Sequence, residues 1–188
     1  GWDDKLQTVR PETMAKRTLE IAEQYPEKRL ISHFLQPHTP FVGETQLGTR
    51  ETFAIREQAF GNTDATTRHR TPFELLNARE VSREEVWAAY RSNLELAWPA
   101  VSRLLNELQG LTAVTSDHGN AMGERAYPFP IRVYGHPLGI LIPPLTDVPW
   151  LTYMNGKRRA VTTDPPTSST TNTDNTISER LRMLGYVE

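Results

Sequence analysis

The stretch Gly110-Leu111-Thr112-Ala113-Val114-Thr115-Ser116-Asp117-His118-Gly119 decides how this chain reads. Leu111 through Thr115 is a short, mostly apolar, β-branched run, the pattern of a buried strand. A long helix precedes it. Over residues 82–109, Val86, Trp87, Tyr90, Leu94, Ala97, Val101, Leu104, Leu105 and Leu108 recur at helical spacing. Ser82 and Glu85 make a capping-box pattern at its start, and Gly110 closes its end. Pro99 lies inside it and is expected to kink or break it. Helix, glycine, buried strand is half of a βαβ unit. Strands of that kind carry ligand sites at their carboxyl ends, and Asp117 and His118 stand just past that end. The expected fold class is therefore α/β, a mainly parallel sheet with flanking helices.

Working outward, residues 10–25 read as a helix with Pro11 in its first turn and Pro26 as its stop. Leu19, Ile21, Ala22 and Tyr25 offer it an apolar side. Arg29-Leu30-Ile31-Ser32-His33-Phe34-Leu35 is a second strand candidate, after which Pro37 and Pro40 force an extended or turning backbone. Residues 41–80 have poor periodicity, with short helices expected near 50–60 and 72–78. A loop-rich insertion over a site and a plain surface excursion both fit them. A Gly- and Pro-rich loop after Gly119 leads to a further strand candidate, Val148-Pro149-Trp150-Leu151-Thr152-Tyr153. Residues 162–176 are Thr, Ser, Asp, Asn and Pro, the composition of a flexible linker. Residues 177–188 hold a short helix that Gly185 caps. The organisation expected is a main domain over 1–161, a linker over 162–176 and a C-terminal helix over 177–188.

The 188 residues suit one domain with a core of its own. Mean hydropathy is -0.54, in keeping with a polar, soluble chain. Net charge is -2 and the isoelectric point about 6.3, so no basic field argues for nucleic acid. No apolar run approaches the ~20 residues of a membrane helix. There are no cysteines, which removes disulfides, thiolate metal sites and a Cys nucleophile from these residues. With neither a visible signal segment nor cysteine, a cytoplasmic location is slightly favoured. The chain begins with Gly1 and not Met, so an upstream region, with any address it carried, is expected to exist.

Four of the five histidines, His33, His38, His118 and His136, fall in Gly/Pro-rich or strand-end contexts. His69 lies between Arg68 and Arg70 and reads as solvated surface. Asp117 beside His118 offers a hard and a borderline ligand to one divalent cation. Gly119 would let the backbone turn so that both side chains face one point. A helix cap or a turn explains Asp117 as well. His38 stands between Pro37 and Pro40, whose stiff backbone would orient its imidazole in advance. His136 sits in the turn Tyr134-Gly135-His136-Pro137. A rigid surface turn is the ordinary alternative for both.

Taken together and in order, these pieces resemble the sulfatase-like family of the alkaline phosphatase superfamily. Val114-Thr115-Ser116-Asp117-His118-Gly119 with Met122-Gly123-Glu124-Arg125 is similar to a signature of that family, with Asn120 in place of its usual acidic residue. Gly135-His136 with Leu145 and Val148-Pro149-Trp150-Leu151 resembles a second stretch, and His33 through Phe41 a histidine loop. Glu179-Arg180-Leu181-Arg182-Met183-Leu184-Gly185-Tyr186 resembles an ending common among its members.

The resemblance implies an alkaline-phosphatase-like fold, incomplete at its N-terminus, and part of a metal-dependent sulfuric- or phosphoric-ester hydrolase or phospho-group transferase. It implies Asp117 and His118 as ligands of a divalent cation (Zn, Mn or Ca). It implies His38 and His136 on the substrate's oxygens or leaving group, and leaves His33 as a core residue next to the site. The family's nucleophile, a Ser, Thr or formylglycine, lies in an N-terminal strand and turn that nothing here resembles. The expected partners are thus a small anionic ester and the upstream part of the same polypeptide. The alternative is a catalytically degenerate relative that binds an anionic ligand or a protein.

Overall fold

In a computed structural model, residues 1–3, 5–6, 8–47 and 70–164 are described. The expected helix near 50–60, the solvated surface at His69 and the C-terminal helix lie outside the described residues. The described part of the chain orders as β1 (Trp2–Asp3), β2 (Thr8–Val9), α1 (Pro11–Gln24), α2 (Pro72–Asn77) and α3 (Arg83–Glu107). It continues as β3 (Gly110–Thr115), β4 (Ala121–Arg125), β5 (Arg132–Gly135), α4 (Pro143–Thr146) and β6 (Trp150–Asn155).

The helices start where their side chains satisfy free N–H groups. Ser82 accepts from the Glu85 N–H at 3.1 Å while Glu85 accepts from the Ser82 N–H at 2.7 Å, a complete capping box for α3. Thr71 and Glu74 form a second one at α2. Pro11 opens α1 as expected. Pro99 does not break α3, which is continuous over 25 residues. The buried stripe of α3 runs through Val86, Ala89, Asn93, Ala97, Ala100 and Leu104, and it leaves Trp87 and Leu94 about half exposed. Ala100 and Leu104 pack with Ala15 of α1, and Leu19 and Phe34 close over them.

The sheet corrects the expected fold class. Among the described residues there is no mainly parallel sheet. There are three separate two-stranded antiparallel sheets, β1–β2, β3–β6 and β4–β5. β3 pairs with β6 from Gly110↔Asn155 to Thr115↔Trp150. The physical reason is that helix-then-strand order sets where a strand begins but not which strand it bonds. The run 29–35 alternates exposed and part-buried residues, as an extended segment does, yet it joins no ladder. Among the described residues β3 therefore has no parallel neighbour of the kind a βαβ unit requires.

The apolar interior is divided accordingly. Ala121, Ala126, Val133, Ile142 and Leu145 gather between the β4–β5 hairpin and α4. Phe73, Leu76, Val86 and Met122 gather where α2, α3 and β4 meet. The β3–β6 ribbon is barely covered, with Trp150 70% and Met154 54% exposed. No helix among the described residues is long and apolar enough to cross a membrane.

Candidate anion-binding site

Three chain segments bring the site together. Asp117 and His118 follow the carboxyl end of β3. Asn120 precedes β4, and His136 follows β5. Since Ala121 pairs with Gly135, the open end of that hairpin sets Asn120 opposite His136. The His136 Nδ1 lies 2.9 Å from Asn120 Oδ1. His38 arrives on the loop after α1.

The imidazoles cluster. The ring centroids of His118 and His136 are 4.3 Å apart, and those of His38 and His136 are 6.3 Å apart. Each ring spends the same nitrogen on an oxygen of the protein. His38 Nδ1 lies 2.6 Å from Thr39 O, His118 Nδ1 lies 2.8 Å from Gly119 O, and His136 Nδ1 meets the Asn120 amide oxygen. Carbonyl oxygens only accept, so Nδ1 carries the hydrogen in these bonds. That assigns the tautomer and leaves Nε2 as the working nitrogen of all three rings. Neutral, Nε2 offers a lone pair; protonated, it offers an N–H to an anion.

The charges respond to one another. Partial burial pushes the His136 pKa below its ordinary 6.5, and the neighbouring His118 and His38 push it the same way, with Asp117 opposing. Burial raises the Asp117 carboxyl, but the His118 charge, the His118 N–H at 3.0 Å and the His33 charge outweigh it, so its pKa falls below 3.8. Burial raises the Tyr90 phenol above 10.0, against a hydrogen bond from Asn120 and with added push from Asp117.

Gly119 acts through close approach. Its φ is outside the left-handed region, so the turn itself does not require glycine. A Cβ there would stand 2.1 Å from the Pro144 carbonyl oxygen, and the Gly119 N–H donates to Leu145 O at 2.9 Å. The Asp117-His118 turn is thus pressed onto α4.

The sequence-predicted residues Asp117, His118, His38 and His136 come together. His33 is exposed and not part of the core, though its charge reaches Asp117. Asp117 Oδ2 and His118 Nε2 are 3.8 Å apart. They fit two ligands of a cation, with the His118 Nδ1–H bonded to a carbonyl as metal-binding histidines generally have it. Among the described residues no group of three or more His, Asp or Glu is arranged to hold a metal. Beside the cluster, a shallow cavity of about 310 Å³ is lined by Arg83, Glu84, Trp87, Asn120, Met122 and Glu124. Asn120 belongs to both. Sequence reasoning noted Asn120 only as a departure from a pattern, and it missed Tyr90 and Asn93 as parts of the site's frame.

Compared with protein-family models, with curated proteins and with solved structures, the chain matches none of them.

Proposed function

We propose that this chain supplies the anion-binding part of a metal-dependent sulfuric- or phosphoric-ester hydrolase, or of a phospho-group transferase. The observation that carries the reading is the convergence of His38, His118 and His136 from three segments, each with Nδ1 committed and Nε2 left over. A tetrahedral anion spreads charge over several oxygens, and a set of oriented N–H donors is what stabilises that charge. In this reading His38 and His136 hold non-bridging oxygens or the leaving group. Asp117 and His118 are two ligands of a divalent cation, which when bound would supply Lewis acidity and lower the pKa of a nucleophile. The nucleophile comes from outside the residues seen here. The histidine geometry carries this reading without help from the fold, because the sheet is not the one the family resemblance implies.

The test uses the complete polypeptide. Its hydrolysis of aryl sulfate or aryl phosphate should stop in excess chelator and return with Zn or Mn. His38→Ala and His136→Ala should each lower turnover ~10²–10³-fold, the usual cost of a lost transition-state donor. Full activity in chelator, once slow metal release is excluded, would sink the metal part. Unchanged kinetics in both variants would remove the histidines from the mechanism.

A further inference from the structure

We propose that Asn93 is the positioning residue that holds His38 in the imidazole cluster; the consequence for anion binding rests on the reading above, whereas the positioning itself does not. Asn93 lies midway along α3, on the stripe that buries Val86, Ala89, Ala97 and Ala100. It is 0% exposed. A primary amide at such a place is costly unless its hydrogen bonds are met.

They are met by one loop. Nδ2 donates toward the carbonyls of Pro37 at 3.3 Å, His38 at 2.9 Å and Pro40 at 3.2 Å. Oδ1 accepts from the Val42 N–H at 2.9 Å. The amide therefore grips the backbone on both sides of His38, and its shortest donated bond goes to His38 itself.

The neighbours of Asn93 extend the grip. Ser92 Oγ accepts from the Thr45 N–H at 2.9 Å. Gly43 comes so close to the helix that a Cβ would lie 2.3 Å from Ser92 Oγ and 2.5 Å from the Ser92 carbonyl oxygen. Phe41, buried, meets the Tyr90 ring edge-on at 6.2 Å between centroids. Tyr90 and Asn93 are three residues apart and share a helix face. Among the described residues the side-chain bonds of His38 reach only Thr39, the next residue. Those local bonds set the ring's tautomer, whereas the bonds from α3 to the backbone of this loop set where the residue stands.

A purely stabilising role for Asn93 makes a different forecast, and two readouts separate them. The first is the nuclear Overhauser effect between the His38 and His136 rings in the full chain. The second is sulfate affinity measured as a cycle of Asn93→Ala, His38→Ala and the double variant. We expect Asn93→Ala to abolish the Overhauser effect between the rings and to weaken sulfate by roughly five- to tenfold, the scale of one exposed charge-assisted bond. The double variant should bind no more weakly than His38→Ala alone. If Asn93→Ala does not fold, Asn93→Asp, of similar volume but without the amide donors, carries the same readouts. An Overhauser effect that survives in the folded variant, or affinity decrements that simply add, overturns the positioning role. If the effect vanishes in the variant while the wild type binds no sulfate, the anion-binding reading is overturned and the positioning role stands.

Discussion

The rings of His118 and His136 stand 4.3 Å apart at a tilt of 35°. Two imidazoles at that distance cannot both hold a proton without mutual repulsion. His136 therefore takes up charge unwillingly in the free protein, and most readily when an anion compensates it. That coupling of proton and anion yields a testable pH dependence.

His136 titrates below 6.5 in the folded chain, so it is neutral in both states above that pH and contributes nothing there. As pH falls from 6.5, the unfolded chain binds the proton first and stability declines, until the folded pKa is passed and the loss levels off. Asp117 works the other way. Its depressed pKa contributes stability above 3.8 that is lost as pH falls through the folded value, a lower and separate window. Thermal unfolding between pH 7.5 and 5 should show the upper decline, and His136→Ala should flatten it. Added sulfate should raise the midpoint more at acidic than at neutral pH, because an anion that binds the protonated site stabilises it.

Asn120 gives His136 a neutral acceptor at 2.9 Å. Replacing it with a carboxylate sets a full negative charge against the Nδ1 hydrogen. Asn120→Asp should therefore raise the His136 pKa from its depressed position, as read from ring-proton titration by NMR. A midpoint that stays put or moves further down would show that the Asn120–His136 bond does not form in solution.

Gly119→Ala should destabilise the fold by about 1–3 kcal/mol, the range for forcing a methyl into a packed site. The added Cβ would meet the Pro144 carbonyl, a backbone atom that cannot swing aside as a side chain can. Because the same displacement moves His118, sulfate binding should weaken too. Urea unfolding gives the first quantity and calorimetry the second. A variant as stable as the wild type would mean that α4 yields easily.

Local pattern made much of this chain legible. Both ends of α1 and the Ser82–Glu85 capping box follow from nearest-turn interactions, and they stand where the sequence places them. So do β3, β6 within two residues, and the strand-end position of Asp117 and His118. Each of these depends on residues within a turn or two of one another. The buried helix faces, by contrast, are turned from the expected ones: α1 buries Ala15 and Thr18 and leaves Tyr25 exposed, and α3 leaves Trp87 and Leu94 about half exposed.

What was not legible depends on long-range partners. Nothing local to β3 names β6 as its neighbour, so the parallel sheet was the wrong extrapolation. The β4–β5 hairpin was read as loop because Gly123, Pro128, Pro130 and Gly135 punctuate that stretch as turn residues do, whereas its pairing, with a register shift between Met122 and Glu124, is set by the partner strand. On α3 the missed signal was visible in principle. Asn93 is the one amide in register with Ala89, Ala97 and Ala100, and a polar residue in a buried stripe asks what satisfies it. The answer, a loop more than fifty residues earlier in the chain, could come only from the structure.

The central claim is that His38 and His136 bind one tetrahedral anion, with the His118 ring 4.3 Å from that of His136 and so placed to report it. Sulfate titration of the full chain at pH 6, followed on the ring protons of all three histidines by NMR, tests it most directly. One shared, saturable dissociation constant for the three rings, weakened by His136→Ala roughly tenfold, is the predicted result. Rings that do not respond, or that drift in proportion to salt without saturating and without regard to His136, would contradict it.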